Sequence, residues 1–330
     1  MKILLDAMGG DNAPAAQVSA AAEIASDLGA EIILVGREEE INKELSKYPE
    51  LPGVSVVNAQ EVIEMSEEPV AAVKKKKDSS LVVCANMLKE NKADAMLSCG
   101  STGALLAASL LIIGRVKGVI RPAIASFLPG KNGPVMLLDM GANTNSKPIN
   151  LLQFALMGNI YLKNVIGIKS PKVGLMSNGT EEGKGNALSK EAYELIKEAN
   201  LNFAGNIEGR DVMNGDIDII VCDGFVGNVI LKTVEGMGQV IGRSLKDMFK
   251  GSIFSSLAAL LVYKKIKAFK KKMDYREYGG APLLGIAKPV VKGHGSSDKK
   301  AVIAALYQTK KIAETNFHDI LRDELNINNN

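Results

Sequence analysis

Short apolar segments alternate with longer amphipathic segments along most of this 330-residue chain. The short segments are rich in Val, Ile and Leu, which is typical of β-strands, and the longer ones have the periodicity of helices. Repeated β-turn-α order predicts an α/β fold in which a mostly parallel sheet is covered by helices on both faces. Ligands of such folds bind in the crevice at the carboxyl ends of the strands, so we expect the functional residues there.

The alternation predicts the positions of the main elements. The predicted strands cover residues 2–6, 31–36, 54–58, 94–98, 123–128, 135–139, 172–176, 202–205 and 218–222. The predicted helices cover residues 15–28, 70–89, 102–113, 149–163, 187–199, 228–249 and 297–325.

Six short clusters rich in Gly, Asn and Asp fall at the turns of this pattern, most of them directly after a predicted strand. They cover residues 6–14, 98–103, 138–143, 179–186, 223–228 and 294–298. Glycine lets backbone N–H groups close around a ligand, and a helix that starts directly afterwards adds the positive end of its dipole. Turns between strands and helices favour Gly, Asn and Asp in any case. Six such turns in one chain nevertheless predict a site that binds an anion such as phosphate.

Composition and charge limit the class of protein. Hydrophobic residues make up 46% of the chain and Trp is absent, which suits an α/β enzyme with an aliphatic core. The net charge of +3 is too small to indicate a nucleic-acid partner. Cys84, Cys99 and Cys222 lack zinc-ligand spacing, and no secretory signal is recognised, so we expect a reduced, cytoplasmic protein with its thiols in the core. No apolar run approaches the ~20 residues of a membrane span.

The sequence lacks the motifs of several common active sites. Residues 6–11 do not supply the Gly-x-Gly-x-x-Gly of a dinucleotide site. The turn at residues 179–184 is one residue too short for a P-loop, and Gly185 replaces the Ser or Thr that would hold magnesium. His294 and His318 are the two histidines, and no Gly-x-Ser-x-Gly motif is present, so a Ser-His-Asp mechanism is disfavoured. We expect His318 on the surface and leave open whether His294 lines the site.

What remains is a site of backbone donors, carboxamides and one lysine in a glycine-rich turn, which can position phosphate beside a polarised carbonyl. The motifs that form it are residues 6–11, 179–181 with 184–186, 223–225 with 227–228, 278–281 and 294–298. In this order, from the first strand to the final helix, they resemble the bacterial phosphate acyltransferases, also called acyl-ACP:phosphate transacylases. The chain departs from the usual pattern of that family at Cys99, Ser101, Asn178 and Val226, which concerns the fine geometry of the site.

The resemblance implies a reaction and a fold. Inorganic phosphate would attack the thioester of a fatty acyl-acyl carrier protein, giving acyl-phosphate and free carrier, with no metal or other cofactor. The product would enter glycerophospholipid synthesis through a membrane glycerol-3-phosphate acyltransferase. The implied fold is the three-layer α/β/α sandwich of isocitrate and isopropylmalate dehydrogenases, usually a homodimer. Chain length alone allows one domain or two, and with this fold we expect a single domain over residues 1–330.

The resemblance also implies roles for particular residues. Lys184 would neutralise the phosphate and the developing oxyanion, and Asn228 would hydrogen-bond the phosphate or the thioester carbonyl. Further residues are predicted to bind phosphate or the rest of the substrate: Asp6, Gly9, Gly10, Gly100, Thr102, Gly103, Asn143, Gly179, Thr180, Asn186, Asp223, Gly227 and His294. Three alternatives stay open: a short-chain phosphotransacetylase acting on acetyl-CoA, a metal-dependent hydroxyacid dehydrogenase, and a non-catalytic lipid-regulatory binding protein.

Two basic segments predict contacts outside the site. No acidic residue lies between Asp247 and Asp274, whereas seven lysines accompany apolar residues at helical spacing. This pattern predicts an amphipathic excursion over residues 250–275 that lies on the inner face of the membrane or packs against a second subunit. The side chains predicted to contact the membrane are Ile253, Phe254, Leu257, Leu260 and Leu261. The four lysines at residues 74–77 form either a docking patch for the acidic carrier protein or a solvated helix face.

Overall fold

A computed structural model describes residues 1–250, 261–267 and 279–327 of the chain. The strands are β1 (Lys2–Asp6), β2 (Glu31–Gly36), β3 (Val54–Asn58), β4 (Ala95–Ser98), β5 (Ala123–Ile124), β6 (Ser126–Leu128), β7 (Val135–Leu138), β8 (Lys172–Met176), β9 (Asn202–Ile207), β10 (Ile219–Val221), β11 (Ala281–Leu284) and β12 (Val290–Lys292). The helices are α1 (Ala15–Ile24), α2 (Glu38–Leu45), α3 (Pro69–Lys75), α4 (Ser80–Lys89), α5 (Thr102–Ala108), α6 (Pro148–Tyr161), α7 (Ala187–Glu198), α8 (Gly224–Lys250), α9 (Lys299–Glu314) and α10 (Phe317–Ile327). Residues 261–267 are also helical.

The strands are divided between two sheets. One has seven strands in the order β3-β2-β1-β4-β12-β11-β5, and the other has five in the order β6-β7-β10-β8-β9. The antiparallel pairs are β11 with β12, β11 with β5, and β6 with β7, and the other pairs are parallel. The predicted mostly parallel pairing is therefore confirmed, but the strands form two sheets and not the single sheet that the alternation suggested. None of the helices in the described part of the chain is long and apolar enough to cross a membrane.

Alternate residues of the central strands pack into different cores. In β1, Ile3 and Leu5 belong to a core shared with α1 and α9, whereas Leu4 belongs to a core with α4 and α5. In β7, Leu138 belongs to the first of these cores with α6 and α7, and Leu137 to a third core with α8. Helices therefore cover both faces of each sheet, as the apolar strands require. The first core contains residues of both sheets, which favours the single domain that stays a prediction.

The strand predicted over residues 123–128 is two short strands that belong to different sheets. At the crossing, the N–H of Ala125 donates to the carbonyl of Pro282 at 3.0 Å. The chain thus leaves the seven-stranded sheet and enters the five-stranded one within six residues. One continuous apolar run suits a buried strand in either sheet, so the sequence does not reveal the change.

Two helices predicted as continuous are interrupted. The helix predicted over residues 70–89 is α3 and α4, because Lys76 leaves the helical conformation and its ammonium group contacts Glu67 at 2.5 Å. The helix predicted over residues 297–325 is α9 and α10. Between them Asn316 has a φ of 48°, a left-handed conformation that ends a helix.

His318 is not the surface residue that the sequence suggested. It lies partly buried on α10, with its ring edge-on to that of Phe317 at a centroid distance of 5.2 Å. Burial lowers the pKa of His318 to about 4. The prediction was wrong because charged neighbours in the sequence do not reveal which side of the helix packs against the protein.

We expect the stability of the protein to fall in mild acid because of His318. The folded protein keeps this imidazole neutral down to about pH 4, whereas the unfolded chain protonates it near pH 6.5. Stability is therefore fully present above pH 6.5 and is lost as the pH falls toward the folded pKa, by about 2 kcal/mol between pH 7.5 and 5. Urea unfolding of wild type and His318→Gln at both pH values measures the difference. An identical pH dependence of the two proteins would contradict the assignment.

Candidate functional site

Three glycine-rich loops meet at the carboxyl ends of the neighbouring strands β1, β4 and β12. They approach so closely that side chains do not fit: a Cβ on Gly9 would lie 2.6 Å from the backbone nitrogen of Gly100. A Cβ on Gly10, which has a φ of 103°, would lie 2.9 Å from the carbonyl oxygen of Gly295. The N–H of Asp11 donates to that same carbonyl at 2.8 Å. The first, second and sixth predicted clusters therefore form one wall of a site.

Asp6 holds this wall from behind. Its buried carboxylate accepts hydrogen bonds of 2.6 Å from the hydroxyls of Ser80 and Ser98. It also accepts a bond of 3.2 Å from the N–H of Met8. Burial raises the pKa of Asp6, and these hydrogen bonds oppose the rise. Asp6 thus fixes the loops that carry Gly9 and the other cluster residues.

The third and fifth clusters form a second wall, at the ends of β7 and β10. Asp139 is fully buried there, and its carboxylate accepts from the N–H groups of Ile124 at 3.0 Å, Ala142 at 3.3 Å and Asn143 at 2.7 Å. The side-chain amide of Asn143 donates to it at 3.0 Å. A Cβ on Gly227 in α8 would lie 1.9 Å from the carbonyl oxygen of Asp139. The loop and the first turn of α8 therefore pack backbone against backbone.

A cleft with a volume of about 390 Å³ is lined by both walls, and we call it the central cleft. Asn228, Thr102 and His294 are the predicted side chains that line it. Asn228 is exposed on α8, and among the described residues we find no hydrogen-bond partner for its carboxamide. Residues from four of the six predicted clusters border the same space, with Gly141 and Gly224 on one side. The structure thus brings most of the clusters together.

Three charged side chains in the central cleft were not predicted. Lys232 forms an ion pair with Glu235 at 2.9 Å. Lys292 is buried, and its ammonium group donates to the carbonyls of Gly293 and, at 3.4 Å, Cys99. Burial lowers the pKa of Lys292. The cleft therefore contains one ion-paired lysine and one lysine held by backbone carbonyls.

The signals for these residues differ in the sequence. Lys292 ends an apolar strand directly before a Gly-His-Gly turn, and this position could have identified it. Lys232 and Glu235 lie inside a long helix where no local motif distinguishes them.

His294, whose place the sequence left open, lines the cleft. Its Nδ1 lies 2.8 Å from the hydroxyl of Ser296, and burial lowers the pKa of its imidazole.

A second cavity, of about 370 Å³, lies against a different face of α8. It is lined by Asn186 and Asp223 among the predicted residues. Both act as helix caps: Asn186 accepts from the N–H of Ser189, and Asp223 from that of Val226, each at 2.9 Å. The fourth and fifth clusters therefore meet at this second cavity.

Lys184 does not line the central cleft. It lies exposed on the turn before Asn186, and its side chain covers Gly179, where an added Cβ would lie 2.7 Å from Lys184 Cγ. Thr180 is exposed on the same turn. The catalytic pair predicted from the resemblance, Lys184 and Asn228, is thus divided between two places on the structure, and the role of each stays a prediction.

The remaining predicted residues shape the walls or lie elsewhere. Close backbone packing explains the glycines at Gly9, Gly10, Gly100 and Gly227. Gly103 packs against the side chain of Pro69, and the N–H of Asn143 donates to Asp139.

The buried thiols of Cys84, Cys99 and Cys222 confirm the prediction that the cysteines lie in the core. Four of the predicted membrane contacts, Ile253, Phe254, Leu257 and Leu260, lie outside the described residues. The fifth, Leu261, is 89% exposed.

Known proteins are similar to this chain over nearly its whole length. A family model described as "Fatty acid synthesis protein" matches residues 1–320. A phosphate acyltransferase of Thermoanaerobacterium thermosaccharolyticum is 49% identical over 327 residues, which cover 99% of this chain and 97% of that protein. The chain belongs to the phosphate acyltransferase family. A second member, from Brevibacillus brevis, is 47% identical over 99% of this chain and 98% of its own length. The family predicted from the motifs is therefore confirmed.

Solved structures of other enzymes share the fold. A phosphotransacetylase from Streptococcus pyogenes superimposes with a TM-score of 0.66 at 19% identity, over 95% of this chain and 94% of that one. A 4-hydroxythreonine-4-phosphate dehydrogenase from Klebsiella pneumoniae gives a TM-score of 0.53 at 13% identity, over 95% and 99%. At these identities the likeness concerns the fold alone, and it confirms the predicted dehydrogenase-like α/β/α class.

Proposed function

We propose that the protein transfers a fatty acyl group from the thioester of an acyl carrier protein to inorganic phosphate. A phosphate oxygen forms a bond to the acyl carbonyl carbon, the carbon–sulfur bond breaks, and the carrier thiolate leaves and takes up a proton. The products are acyl-phosphate and free carrier. Phosphate is already an anionic nucleophile at neutral pH and the thiolate is a good leaving group, so orientation and charge stabilisation supply much of the catalysis.

Membership of the phosphate acyltransferase family over nearly the whole chain carries this proposal. The central cleft supports it, because backbone of glycine-rich loops and the start of α8 surround a space of about 390 Å³. Asn228 lines this cleft, and in the proposed reaction its carboxamide donates a hydrogen bond to the thioester carbonyl or to phosphate. The positive end of the α8 dipole, at Gly224, favours an anion in the same place.

The reaction is tested with purified carrier protein charged with a fatty acyl chain. We expect acyl-phosphate, trapped as the hydroxamate, and free carrier thiol to form in equal amounts, at a rate that depends on phosphate. Acetyl-CoA is the matched donor for the phosphotransacetylase alternative. Faster turnover of acetyl-CoA, or release of carrier thiol without phosphate dependence, would overturn the proposal.

The acidic carrier has a candidate docking patch in Lys74, Lys75 and Lys77. These lysines are exposed, whereas Lys76 is ion-paired with Glu67. They belong to α3 and the residues that follow it, and α3 begins at Pro69, against which Gly103 of α5 packs. Because Thr102 of α5 lines the central cleft, the patch lies on the helix next to the site. A basic surface there would steer an acidic partner toward the cleft.

The same proposal includes three further partners. The protein forms a homodimer, contacts the membrane surface, and passes its product to a membrane acyltransferase. In the helical segment 261–267, Leu261 is 89%, Tyr263 59% and Val262 37% exposed. Lysines 264, 265 and 267 accompany them. Exposed apolar side chains beside lysines favour binding to an anionic lipid surface.

We expect wild-type protein to sediment with anionic liposomes more than with neutral ones, and a Leu257→Glu, Leu261→Glu double variant to stay in the supernatant. Each lysine near an anionic surface contributes about 1 kcal/mol, and two glutamates oppose both the apolar and the electrostatic attraction. Tyr307→Glu, an exposed site on α9, is the matched control and should sediment like wild type. Equal sedimentation of the double variant and wild type would contradict the membrane contact and favour a dimer helix.

A further inference from the structure

Lys292 combines burial with the lack of an acidic partner. Its side chain is 7% exposed at the end of β12, on the lining of the central cleft. Its ammonium group donates to two backbone carbonyls, those of Gly293 and Cys99. Among the residues that the structure describes, no carboxylate lies within ion-pair distance of it. Burial lowers the pKa of Lys292, although Asp6 and Asp11 favour its charged form.

A buried ammonium group without a counter-ion is costly, because two carbonyl dipoles replace only part of the lost hydration. A buried charged group that lines a cleft and lacks a charged partner is a candidate for a functional residue. The other lysine of the cleft, Lys232, already pairs with Glu235 at 2.9 Å. Lys184 lies outside the cleft lining, on an exposed turn. Lys292 is therefore the cleft lysine whose charge is available to a ligand.

The neighbouring loops support the same conclusion. Lys292 lies directly before the loop that carries His294 and Gly295, and both of these residues line the cleft. The carbonyl of Cys99 that it contacts belongs to the loop after β4. The ammonium group thus sits where the loops of the first wall join, with the start of α8 on the other wall.

We propose that Lys292 is a phosphate-binding residue of this site, whose ammonium group donates to the phosphate and balances its charge next to Asn228. This inference rests on the proposed function and adds to it a cation that the sequence motifs did not identify. Phosphate would replace one of the two carbonyls as partner, which keeps the lysine charged while the nucleophile is bound. The role predicted for Lys184 is separate and is not required for this one.

Binding of inorganic phosphate, measured by isothermal titration calorimetry, tests the proposal without the acyl donor. Lys292→Gln keeps a donor for the carbonyls of Gly293 and Cys99 but removes the charge. We expect it to weaken phosphate binding roughly ten- to a hundredfold, as for the loss of one charged hydrogen bond, while a cooperative thermal transition shows that the variant is folded. The KM for phosphate should rise by a similar factor. Lys288→Met, outside the cleft and bonded to Asn91, is the matched control and should bind like wild type.

Wild-type protein supplies a second measurement that does not depend on the folding of a variant. At constant ionic strength, phosphate at ten times its Kd should slow acetylation of Lys292 about tenfold and leave Lys288 unaffected, as followed by peptide mass spectrometry. Phosphate affinity of Lys292→Gln equal to wild type would show a purely structural lysine and overturn the proposal, as would acetylation of Lys292 that ignores phosphate. Failure of wild type to form acyl-phosphate would instead overturn the proposed function.

Discussion

Replacing Asn228 with alanine should lower the rate of acyl-phosphate formation roughly a hundred- to a thousandfold, equivalent to about 2.7–4 kcal/mol of transition-state stabilisation. Asn228 lines the central cleft, and its carboxamide has no hydrogen-bond partner among the described residues. It is therefore free to donate to the oxygen on which charge develops when phosphate attacks the thioester. Because it is exposed, its removal should leave folding intact.

The measurement is steady-state turnover of acyl carrier protein thioester at saturating phosphate. Asn42→Ala, an exposed asparagine on α2, is the matched control and should keep wild-type turnover. Asn228→Asp keeps the size of the side chain but removes the amide donor, and should be impaired like Asn228→Ala. Turnover of folded Asn228→Ala within a few-fold of wild type would end the assignment.

Lys184→Ala should show a loss of similar size if the role implied by the resemblance is right. The structure makes this comparison informative, since Lys184 lies on the exposed turn beside the second cavity and not on the cleft that Asn228 lines. A large loss would require the turn at residues 179–186 to approach the substrate from the second cavity. Near wild-type turnover of Lys184→Ala would mean that the residues of the central cleft are sufficient for the reaction.

Much of the fold could be predicted because it depends on local patterns. β1, β2, β3 and β8 begin and end where the apolar runs do, since each is a short aliphatic segment between turn residues. α2 was missed because Ile41 is its one buried residue, which leaves almost no apolar periodicity. β11 and β12 were missed because they are four and three residues long and follow a segment with a different, helical pattern.

The glycines made part of the site predictable from the sequence. At Gly9 and Gly227 the neighbouring backbone leaves no room for a Cβ, so the sequence must have glycine there. What it does not carry is which loops face each other. The clusters at residues 98–103 and 223–228 follow strands of different sheets, and both contribute residues to the lining of the central cleft. The position of Lys292 before a Gly-His-Gly turn was a usable signal, but the sequence does not show that its side chain is buried.

Replacing Asp139 with alanine should lower the free energy of unfolding by about 3–5 kcal/mol, the largest stability effect we expect in this chain. Its carboxylate accepts from Ile124, Ala142 and Asn143, and each buried N–H left without an acceptor costs about 1–3 kcal/mol. Ile124 belongs to β5 of the seven-stranded sheet, whereas Asp139 follows β7 of the five-stranded one. The carboxylate therefore joins the two sheets behind the central cleft.

Urea unfolding of a graded series measures this contribution. Asp216→Ala, an exposed aspartate, should unfold like wild type. Asp139→Asn keeps one carbonyl oxygen but turns an amide toward donors, so it should lie between wild type and Asp139→Ala. Turnover should fall in the same order, because the loop that Asp139 holds packs on Gly227 one residue before Asn228. A loss below 1 kcal/mol in Asp139→Ala would mean that water or a shifted loop satisfies these N–H groups, and the carboxylate would then add little to the joining of the two sheets.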